Sequence, residues 1–118
     1  MASVTIYHNP RCSKSRQTLQ LLEQHNIQPT IVEYLKSPPS LTELQTLVKQ
    51  LGCVSARELI RSKEEAYKAL DLANETDETK LLQAMVDNPK LIERPIVVVG
   101  DQARLGRPPE AVLEVIEA

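Results

Sequence analysis

The side chain that most invites chemistry is that of Cys12, which lies where a β-rich run gives way to a helix-like run. Residues 4–7 read Val-Thr-Ile-Tyr, and residues 17–23 are dominated by Gln and Leu. Because the first turn of a helix exposes unpaired N–H groups and the positive end of the dipole, it stabilises anions. A thiolate is such an anion and is the nucleophilic form of cysteine. The placement therefore predicts a nucleophilic Cys12, with a small buried apolar side chain as the alternative.

Polar neighbours of Cys12 could support its thiolate. Positive charge on this segment comes from Arg11, Lys14 and Arg16. His8 could hydrogen-bond or polarise the thiolate, and a histidine at a strand end with no catalytic task is an equal alternative. Ser15 stands where a Cys-x-x-Cys redox pair has its second cysteine, so its hydroxyl could hydrogen-bond the sulfur or cap the helix. Without that second cysteine, the segment cannot form a local disulfide of its own.

Three arginines lie at predicted element boundaries. Arg94 precedes Pro95 and the β-branched run at residues 96–99, Arg107 precedes two prolines, and Arg61 lies between two predicted helices. Pro95 suits the first position of a strand, and a cis peptide bond there is possible. Each arginine alone is more simply a solvated surface charge. Together with an activated cysteine they predict an oxyanion site, because guanidinium groups bind tetrahedral oxyanions in a bidentate manner.

The composition limits the classes of protein to which this chain can belong. The chain has 118 residues, a net charge of −2 and two cysteines, and it has no Phe or Trp. We therefore expect a Leu, Ile and Val core, no nucleic-acid partner and no disulfide framework. No apolar run is long enough for a membrane span, and the N-terminus lacks the features of a signal peptide, so a cytoplasmic location is expected. Cys53 lies between two predicted helices and is interpreted as structural or incidental.

The order of predicted elements indicates an α/β fold. Strand candidates are residues 4–7, 30–34, 96–99 and 103–105, with a hairpin turn at residues 100–102. An opening β-α-β and a closing β-β-α predict a mixed sheet flanked by helices. The region of about residues 40–90 reads as an all-helical insertion within a single domain that spans residues 1–118.

Helix starts in this insertion carry capping-box patterns. Ser40, Ser55 and Ser62 are each followed three residues later by Glu. A further helix is predicted over about residues 77–87, and a last one runs from Pro108 to the end of the chain.

Several motifs together resemble the glutaredoxin-dependent arsenate reductase family over essentially the whole chain. The matching segments are residues 7–10 with Cys12, 15–16, 18–19, 34–35, 38–39, Arg61, 93–98 and 107–108. The resemblance implies a thioredoxin-like fold, a cis peptide bond at Pro95, Cys12 as the nucleophile, and Arg61, Arg94 and Arg107 as oxyanion ligands. It also implies that Cys12 attacks arsenate, that glutathione attacks the adduct, and that glutaredoxin then removes glutathione as arsenite is released.

The loop after the cysteine differs from that of the best-known members. They have Gly-Thr where this chain has Ser13 and Lys14, which places it nearest an uncharacterised bacterial branch with Cys-Ser-Lys-Ser-Arg. The expected partners are arsenate or a similar oxyanion, glutathione as co-substrate and glutaredoxin. We expect a monomer with no bound cofactor, no metal and no membrane partner.

Two alternative functions remain open at this point. The same fold family includes a thiol-sensing regulator that binds RNA polymerase and resembles this chain around residues 94–96. That regulator uses a Cys-x-x-Cys switch, whereas this chain has Ser15 at the second position and retains Arg107 and Pro108. The other alternative is a glutathione-dependent oxidoreductase that acts on a different substrate, such as a protein mixed disulfide.

Overall fold

Four short strands form one mixed sheet in the computed structural model, which describes residues 3–116. The strands are β1 (Val4–Tyr7), β2 (Thr30–Val32), β3 (Ile96–Val99) and β4 (Gln102–Leu105), and the spatial order is β2-β1-β3-β4. Strands β1 and β2 are parallel, whereas β3 is antiparallel to both β1 and β4. The predicted mixed sheet flanked by helices is therefore confirmed.

The helices follow the predicted order along the chain. They are α1 (Ser13–Gln24), α2 (Leu41–Leu51), α3 (Glu65–Ala69), α4 (Glu78–Asp87) and α5 (Leu113–Ile116). Short 3₁₀ helices cover Ala56–Leu59, Leu72–Asn74, Pro89–Leu91 and Pro109–Val112. Within residues 3–116, no helix combines the length and the apolar character needed to cross a bilayer.

The chain divides into two compact units. The sheet unit comprises Met1–Ser37 with Arg94–Ala118, and the helical unit comprises Pro38–Glu93. All four strands lie in the sheet unit, and the helical unit holds α2, α3 and α4. The helical unit overlaps the predicted insertion of about residues 40–90, and the assignment of the whole chain to a single domain stays a prediction.

The core of the sheet unit lies on one face of the sheet. Ile6 and Val97 are register partners on β1 and β3, and both are fully buried with Leu22 of α1 and Val112. Because side chains alternate along a strand, Val4 and Val99 share this face and pack against the same cluster. The predicted aliphatic core is confirmed here, since no aromatic ring belongs to the described cluster.

Capping sets the bounds of the helices in the helical unit. The Ser40 hydroxyl accepts the N–H of Glu43, the Glu43 carboxylate accepts the N–H of Ser40, and α2 follows. This helix ends at Gly52, whose φ of 73° is the left-handed conformation that glycine adopts readily. The predicted box at Ser55 also forms, but the element that follows is the 3₁₀ helix Ala56–Leu59.

Three predicted boundaries need correction. The box at Ser62 is wrong, because α3 begins only at Glu65 and Glu64, rather than Ser62, occupies the N-cap position. Strand β2 ends at Val32 rather than at residue 34, because the N–H groups of residues 36 and 37 bond the Glu33 carbonyl in a turn. The last helix starts as the 3₁₀ helix Pro109–Val112, and residues 117–118 lie outside the described residues.

Glu78 ties the start of α4 to the neighbouring 3₁₀ helix, and this contact predicts a pH-dependent stability. Its carboxylate accepts the Ala56 N–H and the Ser55 hydroxyl, each at 2.7 Å. These two bonds, that of Ala56 first, lower the pKa of Glu78. The folded protein thus gains stability above the unfolded-state pKa of about 4.3, and loses it as the pH falls through the lower folded-state pKa.

We expect Glu78→Gln to lower the free energy of unfolding at pH 7 by up to about 1 kcal/mol, since the pair is exposed. At pH 3 the difference from the wild type should shrink. Urea denaturation at both pH values measures this, with Glu65→Gln in the first turn of α3 as a control of the same charge change. An equal loss at both pH values, or an equal loss in the control, would contradict the prediction.

Candidate active site

The register of the sheet brings three segments to one end of the sheet unit. Tyr7 at the end of β1 pairs with Ile96 at the start of β3, and Ile96 pairs with Leu105 at the end of β4. The segments 8–12, 94–95 and 106–107 therefore all leave the sheet at the same end. This shared end of the sheet brings together five residues that the sequence predicts for the site, namely His8, Cys12, Arg94, Pro95 and Arg107.

Backbone bonds hold Cys12 at the N-cap position of α1. Its N–H donates to the Asn9 carbonyl at 3.0 Å, and its carbonyl accepts the Arg16 N–H at 3.0 Å. The Asn9 side-chain oxygen accepts the Arg11 N–H at 3.0 Å, which closes the turn before the helix. Cys12 is 9% exposed, and its side chain makes no cap hydrogen bond. The sulfur thus belongs to the N-cap residue of α1 and does not satisfy the first N–H groups of that helix.

Ser15 and His8 form a buried hydrogen-bonded pair beside this turn. Ser15 Oγ lies 2.6 Å from His8 Nδ1 and accepts the Asn9 N–H at 3.0 Å. Burial lowers the pKa of His8, an effect that Glu33 opposes and the charge of Arg16 reinforces. The imidazole is therefore neutral at pH 7, and its direct partner is Ser15.

The tautomer of His8 decides where the Ser15 hydroxyl proton points. With Nδ1 unprotonated, the Ser15 hydroxyl donates to the ring. With Nδ1 protonated, the ring donates to Ser15 Oγ, and the hydroxyl proton is available to another acceptor. The structure places Ser15 Oγ between the His8 ring and the Asn9 N–H, and the support of the thiolate by His8 and Ser15 stays a prediction.

The cations near Cys12 occupy the exposed side of the turn. Arg16 Nη1 donates to the Pro10 carbonyl at 3.1 Å, so this side chain braces the loop. Arg11 and Lys14 are exposed, and the Lys14 carbonyl accepts the Thr18 hydroxyl at 2.8 Å. The turn is therefore positively charged on its solvent side.

Arg94 and Arg107 are linked to each other across the strand ends. Arg107 Nε donates to the Arg94 carbonyl at 2.8 Å, and the Arg107 side chain is exposed. Arg94 Nε is buried, with no hydrogen-bond partner among the described residues. Both arginines are followed by a cis peptide bond, at Pro95 and at Pro108; the first was expected and the second was not. A buried guanidinium N–H that has no acceptor within the protein suits an anion supplied from outside.

Gly106 is a close-packed position beside the candidate site that the sequence did not reveal. Its N–H donates to the Pro95 carbonyl at 2.9 Å. A Cβ at this position would lie 2.5 Å from Thr18 Oγ1 and 2.7 Å from Pro95 Cγ. The absence of a side chain therefore lets the segment before Arg107 lie directly against α1 and Pro95. The available signal was a glycine placed directly before the boundary arginine.

Arg61 and Cys53 belong to the helical unit. Arg61 Nη1 lies 2.7 Å from Glu64 Oε1, and Arg61 Nε lies 3.8 Å from Glu93 Oε1. Cys53 follows the end of α2, where burial and then the charge of Glu58 raise the pKa of its thiol. A raised pKa keeps a thiol protonated and unreactive near neutral pH, which agrees with a structural role for Cys53.

The close contact at Gly106 predicts a specific pattern of destabilisation. Gly106→Ala should lower the free energy of unfolding by about 1–3 kcal/mol through overpacking. Thr18→Ala removes one clashing side chain, so it should reduce the cost of Gly106→Ala, although Pro95 prevents full recovery. Urea denaturation of the single and double variants measures this coupling.

Gly52→Ala is the matched control for this cycle. No atom lies within 4 Å of a Cβ at Gly52, so the substitution costs only backbone strain at its φ of 73°. Thr18→Ala should leave that cost unchanged. Independent, additive effects of Thr18→Ala and Gly106→Ala would show that the contact does not restrict this segment.

Comparison with known proteins places the chain among bacterial relatives. It is 58% identical over 114 residues to the uncharacterized protein YfgD of Escherichia coli K12, covering 96% of each chain. It is 51% identical to an arsenate reductase of Haemophilus influenzae, covering 97% of this chain and 99% of the other. A solved arsenate reductase structure from Vibrio cholerae superposes with a TM-score of 0.94 at 54% identity, covering 97% of this chain and 98% of the other.

These similarities agree with the architecture described above, and the fold is thioredoxin-like. The family model described as "ArsC family" matches residues 7–115. Since that match spans nearly the whole chain, including every candidate site residue, the protein belongs to the ArsC family.

Proposed function

We propose that this protein is a thiol-dependent arsenate reductase in which Cys12 is the nucleophile. The observation that carries the proposal is that Cys12, at the N-cap of α1, and Arg94 lie at the same end of the sheet, and that Arg94 Nε is buried with no hydrogen-bond partner among the described residues. An anion at this end finds helix N–H groups, a guanidinium donor and a potential nucleophile. The relatives named arsenate reductase support arsenate as that anion.

Electrostatic repulsion is the main obstacle to this reaction. A thiolate and arsenate are both anions, so their approach requires positive charge that is already in position. Arg94 and Arg107 can supply it, and fixed guanidinium groups also stabilise charge that builds up in the transition state. Arg61 as a third oxyanion ligand remains part of the proposal.

The proposed reaction transfers two electrons to arsenic. Cys12 sulfur forms a bond to arsenic as water leaves, and this step changes no oxidation state. A glutathione thiolate then attacks the Cys12 sulfur, so that a sulfur–sulfur bond forms and the sulfur–arsenic bond breaks. Arsenic keeps the electron pair and leaves as arsenite. A glutaredoxin thiol takes the glutathionyl group by disulfide exchange and returns Cys12 to its reduced form.

His8 and Ser15 position the nucleophile in this proposal. A neutral His8 that donates from Nδ1 to Ser15 frees the Ser15 hydroxyl proton to hydrogen-bond the Cys12 thiolate. Arg16 adds positive charge while it braces the Pro10 carbonyl. Since each turnover consumes reduced thiols, the reaction suits the cytoplasm, where glutathione and thioredoxin keep thiols reduced.

The direct test is arsenate reduction by the purified protein with glutathione and glutaredoxin, measured as arsenite formed. Turnover that requires both thiol components supports the proposal. Activity on a glutathionylated peptide without any arsenate turnover would favour the general oxidoreductase, and stable capture of RNA polymerase without turnover would favour the regulator.

The two cysteines should contribute unequally. Cys12→Ser should abolish arsenite formation, because serine is a far weaker nucleophile near neutral pH. Cys53→Ser should keep nearly the full rate, because the raised pKa of Cys53 leaves its thiol protonated. Steady-state assays of both variants measure this. An equal loss in both variants would instead indicate a disulfide cycle that uses both cysteines.

Loss of an arginine at the strand ends should impair the reaction strongly. Arg94→Ala or Arg107→Ala should lower kcat/KM by about 10²-fold, by analogy with the loss of one oxyanion donor. Lysine should recover only part of this, because it offers a point charge without the planar fork.

Arg104→Ala is a matched control on β4, since Arg104 is ion-paired with Glu114 at 3.0 Å. It should stay within about twofold of the wild type, as expected for an exposed ion pair. If all three alanine variants lower kcat/KM equally, the prediction is contradicted, and Arg94 and Arg107 contribute only general positive surface charge.

A further inference from the structure

Arg61 is held inside the helical unit by a short antiparallel pairing of two segments. Ile60 and Ile92 form an isolated β-bridge, and the Arg61 N–H donates to the Leu91 carbonyl at 2.7 Å. The Glu93 N–H donates in turn to the Leu59 carbonyl at 2.8 Å. These bonds fix the backbone of Arg61 next to that of Glu93, so the proximity of their side chains is built into the fold of this unit.

Glu64 adds a second and closer carboxylate to the same guanidinium. It occupies the N-cap position of α3, yet its side chain makes no cap hydrogen bond. Its Oε1 lies 2.7 Å from Arg61 Nη1 instead. Glutamate is not among the residues whose side chains are preferred at an N-cap. The Glu64 carboxylate therefore interacts with Arg61 and not with the helix terminus.

The charge balance around Arg61 is unfavourable for an incoming anion. One guanidinium faces two carboxylates, at 2.7 Å and 3.8 Å, so the cluster of Arg61, Glu64 and Glu93 is net negative. The 2.7 Å contact at Nη1 is a hydrogen bond, whereas the 3.8 Å contact at Nε is an ion pair beyond hydrogen-bond distance. The side chain of Arg61 is 22% exposed and that of Glu64 is 29% exposed, so solvent reaches the pair. An anion can therefore reach Arg61, but it must compete with Glu64.

We propose that Glu64 is a competing internal anion that sets the affinity of Arg61 for oxyanions. An oxyanion that binds Arg61 displaces the Glu64 carboxylate from Nη1, and Glu93 remains as the backbone-fixed partner. This inference rests on the proposed function, which gives Arg61 the role of an oxyanion ligand. Glu64 acts through Arg61 and is thus a positioning residue that tunes substrate affinity, with no direct contact with the reacting atoms.

Direct arsenate binding tests the proposal without requiring turnover. Isothermal titration of arsenate into Cys12→Ser protein avoids the covalent step, and the same measurement is made with Glu64→Gln added. The expected result is about a two- to fivefold lower Kd, the range that a partly exposed ion pair supports. In the active protein, Glu64→Gln should lower KM by a similar factor and change kcat little.

Glu65→Gln is the matched control, because it removes the same charge one residue away and Glu65 is exposed. It should leave the Kd unchanged. The gain from Glu64→Gln should vanish when Arg61→Gln is also present. Equal effects of the two glutamine variants, a gain that persists without Arg61, or no arsenate binding by any variant would each overturn the proposal.

Far-ultraviolet circular dichroism checks that the Glu64 variants fold. If Glu64→Gln does not fold, Glu64→Asp is used instead, because it withdraws the carboxylate by one methylene and should still lower the Kd. If the wild type binds arsenate and Glu64→Gln lowers the Kd, but the wild type forms no arsenite, then only the proposed reductase activity is contradicted. If the protein reduces arsenate but Glu64→Gln changes neither the KM nor the Kd, then only the role of Glu64 is contradicted.

Discussion

The antiparallel pairing of β1 with β3 is the constraint on which the candidate site depends. Because Tyr7 pairs with Ile96 and Ile96 pairs with Leu105, the loop that carries Cys12 and the two boundary arginines must emerge at one end of the sheet. A slip by one residue would move Ile6 and Val97 out of the buried face. The register that buries the core therefore also assembles the site, and burial of the core is what stabilises this geometry.

The hydrogen bonds of Ser15 make the turn that carries Cys12 rigid. One hydroxyl oxygen serves the Asn9 N–H and the His8 ring, and both Ser15 and His8 are buried. A buried polar group without a partner costs about 1–3 kcal/mol, so these partners are hard to exchange. A second cysteine in place of Ser15 would be a poor acceptor for the Asn9 N–H. The serine thus suits a site that relies on an external thiol rather than on a local disulfide.

Much of this organisation could be predicted from the sequence because it rests on local signals. The β-branched run at 96–99, the capping box at Ser40 and the position of Cys12 before a helix each depend on neighbouring residues. The failures have other causes. At Ser62 the helix starts later than the local pattern indicates, with Glu64 at the N-cap position and α3 beginning at Glu65. Gly106 was missed because its contact is with Thr18, far away in sequence, and a long-range contact leaves no local signal.

The arginines illustrate how one residue type serves two electrostatic purposes. Arg94 keeps a buried Nε with no partner in the described part of the protein, so an anion bound there can supply the missing acceptor. Arg61 is the opposite case, because two carboxylates already meet its guanidinium. In the proposed reaction, an oxyanion therefore gains a new hydrogen bond at Arg94, whereas at Arg61 it competes with the Glu64 carboxylate. On this proposal Arg94 is the stronger anchor, and Arg61 adjusts the affinity.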